Sequence, residues 1–441
     1  METSAAYLER KHRELALIDA CLATPLQFDA PAASAEAMIE RKFKLAGALR
    51  AERSLESWAI TETARPEAQR WRSGAYRFSY EYQRADLHVR GPAIYDVAGA
   101  ADGIVRQETV YTGSGMSAIS VIITALIRVR GELDVIAPPG CYGETRELLE
   151  SLQERVAIVP SNRRDGPIRR AQSRTRVLLV DSCVADDFGE YRAATDIDVV
   201  VFDTTCFWQD SGRIRVVIRW ALRSGLPVAL VRSHAKLDSL GIEYGRLGSV
   251  VLAWRPQDKS QAWMKKLLRA TEDSVRLYGV AAIPAHFPPF TGTAQYRACS
   301  RARTAAIIRN TRRMARELSS RMSGRCAIRT FQHGLYFALV PGDDMPIDDV
   351  KRAAASLSAA LGRLKLPLKH AGSFGFDFVA VEWFFDAILR RNLLRIAGAD
   401  LPAPLIDRIV DSIDEWWSAH RMGTASRRAA GAVAERAVSA P

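Results

Sequence analysis

Lysine is scarce in this strongly basic sequence: ten lysines stand beside fifty-two arginines. They fall at residues 11, 42, 44, 236, 259, 265, 266, 351, 365 and 369, so Lys236 is alone between residues 45 and 258. Cysteine is sparse too. The six cysteines (21, 141, 183, 206, 299 and 326) are scattered without a C-x-x-C pair. That argues against a disulfide framework and a zinc site, and fits reduced thiols in a cytosolic protein. No apolar run reaches the roughly 20 residues of a membrane span. The opening Met1-Glu-Thr-Ser is polar and acidic rather than basic and then apolar, so no signal peptide is expected and a cytoplasmic location is. No Gly-Lys-Ser/Thr Walker loop occurs, and no internal repeat. An aromatic-interleaved basic stripe is also missing. The formal charge of +12 is spread as short pairs, Arg163-Arg164, Arg169-Arg170, Arg312-Arg313 and Arg427-Arg428. This describes a solvated arginine-rich surface, and neither nucleic acid nor membrane is an expected partner.

What is present suits a globular protein of two or more lobes: 441 residues, 48% apolar and 25% charged. Residues 4–60 read as amphipathic helices broken near Pro25 and Pro31. Trp71 to Arg84 has little periodicity and reads as an extended arm or loop. From residue 104 short β-branched runs alternate with helical stretches. Such runs stand at Leu133–Ala137, Val156–Val159, Val177–Val180, Val199–Phe202, Val216–Trp220 and Val228–Val231. The alternation predicts an α/β fold with a mostly parallel central sheet sandwiched by helices. Ligands in such folds bind beyond the carboxyl ends of the strands. Helices are expected over 258–280 and 296–323, then a smaller α/β unit from about residue 325 that closes with a helix at 402–420. The Ala/Arg/Ser/Gly-rich tail beyond it is expected to be disordered.

Several residues sit where a strand run gives way to a loop. Lys236 follows Val228-Ala-Leu-Val-Arg-Ser-His-Ala. An amine desolvated there would have a lowered pKa and act as a Schiff-base nucleophile; the alternative is a strand-end lysine reaching solvent. Asp203 ends Val199-Val-Val-Phe, where a carboxylate needs a cation or donor, such as a protonated pyridine nitrogen, unless it caps a loop. Thr112-Gly-Ser-Gly-Met116 precedes a helix, whose N-terminus suits a phosphate. Tyr142 follows Pro138-Pro-Gly140, so its ring either lies on a planar cofactor or packs on the helix below. Arg395, inside the apolar Leu393-Leu-Arg-Ile, needs an anion: a substrate carboxylate or a structural ion-pair partner.

In this order the segments resemble the fold type I pyridoxal-phosphate-dependent enzymes. The likeness is strongest to the cysteine/methionine-metabolism family of cystathionine synthases and lyases and methionine γ-lyase. It runs from about residue 75 to 415. Tyr82-Gln-Arg84 is similar to the family's Tyr-x-Arg pair, which reaches the cofactor phosphate of the neighbouring subunit. Ser114-Gly115-Met116 matches the phosphate turn and Tyr142-Gly-Glu-Thr145 the cofactor-stacking tyrosine. Asp203-Thr204-Thr205 matches the partner of the ring nitrogen, and Ser233-His-Ala-Lys236 the Schiff-base lysine. Ser373-Phe-Gly375 and Arg395 resemble the substrate-binding pair. Three departures mark a divergent member. Ala235 replaces the threonine before the lysine, Asp181 to Asp187 replaces a Ser/Thr-Asn-Pro segment, and Gly245-Arg246 resembles the phosphate-contacting arginine of aminotransferases.

The resemblance implies pyridoxal 5'-phosphate as cofactor, no metal, and a homodimer or homotetramer with shared sites. It divides the chain into an N-terminal helical segment and arm (1–70), a large cofactor-binding domain (71–290), a small C-terminal domain (291–421) and a tail (422–441). It implies an amino-acid substrate undergoing β- or γ-elimination or replacement of a side-chain group. A second small-molecule nucleophile would serve replacement, and transamination is the competing reaction. Tyr142, Asp203 and Lys236 would carry the chemistry. Ser114, Gly115, Met116, Thr205, Ser233, Arg246, Tyr82 and Arg84 would hold the cofactor, and Ser373 and Arg395 the substrate.

Overall fold

A computed structural model of the chain describes residues 2–61, 69–81, 88–94, 103–160, 174–184, 196–256 and 261–420. Tyr82, Arg84 and the C-terminal tail lie outside the described residues.

Two helices open the chain, α1 (Ser4–Asp19) and α2 (Ala35–Thr61). Thr3 caps α1 by accepting the Ala6 N–H. Leu15 and Ile18 bury against Leu45 and Leu49 of α2 and against Tyr244, Phe290 and Tyr296 further along the chain. The segment read as an extended arm or loop is extended but paired, a hairpin of β1 (Gln69–Ser73) with β2 (Tyr76–Glu81), and β3 (His88–Arg90) adds to β2. Tyr76-Arg-Phe78-Ser-Tyr80 does alternate with a period of two, and Phe78 and Tyr80 are buried. The Phe78 ring packs 4.6 Å from Phe287.

The central sheet contains β4 (Arg106–Thr112), β5 (Leu133–Ala137), β6 (Val156–Pro160), β7 (Thr175–Asp181), β8 (Val199–Asp203), β9 (Val228–Ser233) and β10 (Gly248–Trp254). Its order is β4-β10-β9-β8-β7-β5-β6. Only β10 runs against its neighbours, so the sheet is mostly parallel, as expected. The continuous apolar runs are buried on both faces by helices. On one side lie α3 (Gly115–Arg130), α4 (Gly143–Ser151) and α6 (Gln261–Leu277), and on the other α5 (Gly212–Arg223). Val216–Trp220, read as a strand, is the middle of α5. Its buried residues, Ile214, Val217, Ile218, Ala221 and Leu222, follow the three-four spacing of a helix face, which overrides the β-branched composition.

The long helix α7 (Ala294–Arg321) leads to a second sheet of order β11-β12-β15-β14-β13. Its strands are β11 (Ala327–Thr330), β12 (Tyr336–Val340), β13 (Leu368–His370), β14 (Val379–Asp386) and β15 (Arg391–Ala397). Helices α8 (Ile347–Arg363) and α9 (Ala403–Ala419) cover it around a core that includes Leu357, Ile409 and Trp417. Among the described residues no helix is long and apolar enough to cross a membrane.

A buried charge cluster ties the N-terminal helices to the rest. Lys11 Nζ lies 3.0 Å from Asp400 Oδ2 and 3.1 Å from Glu14 Oε1, and Lys42 Nζ 2.8 Å from Asp377 Oδ2. Arg303 joins Asp400 at 2.8 Å and donates to the Gly375 carbonyl at 2.8 Å. Burial alone would raise the carboxyl pKa of Asp377, yet Arg303, Lys11 and Lys42 outweigh it and hold the group well below its ordinary value.

Candidate active site

Asp181 and Asp203 are register partners at the carboxyl ends of β7 and β8, and Asp203 also pairs in register with Val231 of β9. Beyond β9 the chain turns, and Lys236 Nζ donates to Ser373 Oγ at 2.6 Å and stands 3.6 Å from Glu243 Oε1. The lysine side chain is 26% exposed, so it is neither sealed in the core nor loose in solvent.

Residues that local sequence did not single out build this turn. Arg232 grips both Asp238 oxygens at 2.6 and 2.7 Å and donates to the carbonyls of Thr204 at 2.7 Å and Phe207 at 2.9 Å. His234 bridges Asp238 and Ser249, 2.8 Å from each. Burial works against the Asp238 charge, but Arg232 prevails and keeps its pKa below the ordinary carboxylate value. The clamp fixes the lysine turn to the exit of β8. A buried bidentate pair six residues apart leaves no periodic signal in sequence.

Asp203 is buried, and its Oδ1 accepts the Thr205 N–H at 2.8 Å. Burial, reinforced by the Asp181 charge, pushes its pKa up to about 7. Asp181 accepts the Tyr142 N–H at 2.7 Å and the Cys183 N–H at 2.8 Å. It was legible by the rule that found Asp203, since it too ends a fully apolar run, Val177-Leu-Leu-Val. Because the fold favours the proton on Asp203, this group's contribution to stability is present below its unfolded pKa and is lost as pH rises from about 4 to about 7. Asp181→Asn removes the repulsion and is expected to move the Asp203 titration toward the ordinary carboxylate range. Infrared carboxyl bands of the ligand-free protein check this; an unmoved titration would assign the whole shift to burial.

The N-terminus of α3 faces the end of β9. Ser114 Oγ caps the helix by accepting the Ser117 N–H at 3.0 Å, leaving the Gly115 and Met116 N–H groups without an intrahelical acceptor. A Cβ on Gly115 would lie 2.7 Å from Ser233 Cβ, and one on Gly248 would lie 2.1 Å from the Ser114 carbonyl oxygen. Both glycines are therefore required by close approach. Thr205 Oγ1 accepts the Ser233 N–H at 3.0 Å and ties this cradle to the Asp203 loop. Arg246 is exposed, and its carbonyl accepts from His286 Nδ1 at 3.0 Å.

Tyr142 stands at the start of α4, 39% exposed. Burial and then Glu144 push its hydroxyl pKa upward, while Arg395 opposes them. Arg395 lies over the Tyr336 ring at 4.8 Å and is ion-paired with Glu382, its register partner on β14. Of the two alternatives for this arginine the structure shows the ion pair: it already holds an internal carboxylate, and its charge reaches Tyr142. Cys183 and Cys206, just past β7 and β8, have their sulfurs 3.3 Å apart.

No family model matches the chain, and no curated protein matches it in sequence. Among solved structures it is similar to metB from Corynebacterium glutamicum, with TM-score 0.50 and 14% identity over 77% of this chain and 87% of that one. It is also similar to the putative O-acetylhomoserine (thiol)-lyase metY from Campylobacter jejuni, whose structure carries N'-pyridoxyl-lysine-5'-monophosphate. There the TM-score is 0.51 and the identity 13%, over 72% of this chain and 83% of that one. The architecture is accordingly that of fold type I.

Proposed function

We propose that this chain binds pyridoxal 5'-phosphate at Lys236 and acts on an amino acid by eliminating or replacing a side-chain group. The observation that carries the reading is one rim that holds three complementary features. An amine lies beyond β9, a buried carboxylate with raised pKa ends β8, and a glycine-lined helix N-terminus is pressed against Ser233. These residues fit the group. Lys236 would hold its aldehyde carbon, Asp203 its ring nitrogen, Tyr142 its ring face, and the Gly115 and Met116 N–H groups with Ser233 its phosphate. Ala235 supplies no hydroxyl there. When bound, the cofactor supplies an electron-withdrawing ring that stabilises negative charge at the substrate Cα.

The remaining work falls to the chain. Lys236 Nζ, released, takes the proton from Cα, with Ser373 Oγ at 2.6 Å orienting it. Asp203 holds a proton at its carboxyl near neutral pH until a cationic partner draws the charge onto it. Arg395 binds the substrate carboxylate by exchanging it for Glu382. Tyr82 and Arg84 would complete the phosphate cradle of a partner subunit in a homodimer or homotetramer.

Borohydride reduction of the yellow protein, followed by peptide mapping, tests the assignment. The adduct is expected on Lys236; an adduct on any other of the ten lysines overturns it. Product masses from an amino-acid screen then identify the leaving group. Exchange at Arg395 makes a separate prediction. Glu382→Gln removes the internal competitor and is expected to tighten amino-acid binding by about 1.5–3 kcal/mol, the worth of a hydrogen bond to a charged group. Weaker binding on titration would instead assign Glu382 to orienting Arg395.

A further inference from the structure

A cavity of about 320 Å³ opens between the β8–α5 loop, helix α7 and the turn from β11 to β12. Three arginines line it, Arg213, Arg301 and Arg312, and no carboxylate does so among the described residues. Arg213 stacks on Phe207 at 5.5 Å, and Arg301 lies over Trp208 at 6.0 Å. None of the three, all exposed, has a carboxylate partner among the described residues, so their charge is open to an anion from outside. Ser211, which caps α5 by accepting the Arg213 N–H at 3.3 Å, also lines the cavity, so the positive end of that helix dipole faces it.

His333 supplies the independent observation. It lines the same cavity and is only 5% exposed. Its Nδ1 accepts the Leu335 N–H at 3.0 Å, which leaves the ring hydrogen on Nε2. That Nε2 is buried and has no hydrogen-bond partner among the described residues. Buried N–H groups are rarely left so, and the ring that carries this donor lines the cavity and feels the charge of Arg213. The ring is neutral: burial, then Arg395 and Arg213, lower its pKa to about 3. It therefore offers a hydrogen bond rather than a charge.

We infer that this cavity binds the phosphate group of a small molecule. Three guanidiniums, a helix N-terminus and one neutral N–H donor match a dianion with several acceptor oxygens better than a single carboxylate. The volume lies at the lower end for small-molecule sites, which suits free phosphate or a compact monoester and is tight for a nucleotide. The occupant would bridge the β8 exit, three residues from Asp203 at Cys206, to α7 and the second sheet. This is a different place from the Ser114–Met116 cradle, and the inference does not rest on the function proposed above.

Calorimetric titration of the full chain, loaded with pyridoxal 5'-phosphate and then freed of the excess so that only the other cradle is filled, tests it at constant ionic strength. Inorganic phosphate or glycerol 3-phosphate is expected to bind saturably. Tighter binding of the ester identifies a monoester occupant, and tighter binding of phosphate identifies the free anion. Arg213→Gln/Arg312→Gln is expected to weaken either by at least about tenfold, with the unliganded melting temperature unchanged because both side chains are exposed. Arg301→Gln should weaken binding in the same direction. Absence of saturable binding in the millimolar range overturns the inference. So does binding that the double variant leaves intact, since the anion would then sit elsewhere.

Discussion

Lys236→Ala is expected to abolish the yellow absorbance of the reconstituted protein and to lower turnover by about 10²–10⁴-fold from lost proton transfer alone. Loss of the covalent link adds to this. The fold should survive, because the side chain is partly exposed and its polar contacts among the described residues are one hydroxyl and one loose ion pair. Circular dichroism and melting temperature should match the parent while the absorbance band and product formation disappear. Lys236→Arg is expected to fail as well, since a guanidinium cannot give up its proton. Retained activity in either variant would remove the lysine from the chemistry altogether. Retained absorbance with no activity would restrict its part to proton transfer.

The largest effect on stability is expected from Asp377→Ala, at about 3–5 kcal/mol, the cost of breaking a buried ion pair from one side. Asp377 faces Lys11, Lys42 and Arg303, all nearly inaccessible to water, and its loss leaves three buried cations to share Glu14 and Asp400. Urea denaturation measures the change. Lys11→Met combined with Asp377→Leu should recover much of it, because an apolar pair carries no stranded charge. The sign with pH follows from the depressed pKa values of Asp377 and Asp400. Their contribution is present above the unfolded carboxylate value, near 4, and is lost as pH falls toward the folded values. The cluster also reaches the candidate site. Arg303 holds the Gly375 carbonyl, two residues from Ser373, and Lys42 donates to the Leu240 carbonyl in the turn after Lys236. Asp377→Ala is therefore expected to disturb the lysine's surroundings as well as the fold. A stability loss below about 1 kcal/mol would mean that the three cations find water.

Where one residue's chemistry and its place at a strand end sufficed, the sequence was readable. Lys236, Asp203 and the Ser114-Gly115-Met116 turn each end a run of apolar residues or begin a helix, and the runs at 133–137, 177–180, 199–202 and 228–231 all became strands. Val216–Trp220 failed because β-branching is a weak local preference, while burial at Ile214, Val217 and Ile218 was set by the sheet beneath α5. Residues 71–81 were not read as strands because the turn between Ser73 and Tyr76 breaks the two-residue period, whose apolar face packs against Phe287 and Tyr111.

The pattern of apolar runs and loops by itself determined that a parallel sheet would gather an amine, a carboxylate and a helix N-terminus at one rim, since strand direction follows from helical crossovers. Tertiary structure alone decided which charges would meet. Glu382 on Arg395, Asp238 between Arg232 and His234, Asp181 beside Asp203, and an orphaned His333 in a cavity with Arg213 are pairings across 4 to 120 residues of chain. Long-range Coulomb and hydrogen-bond partners depend on where the backbone returns in space, and no local periodicity records that.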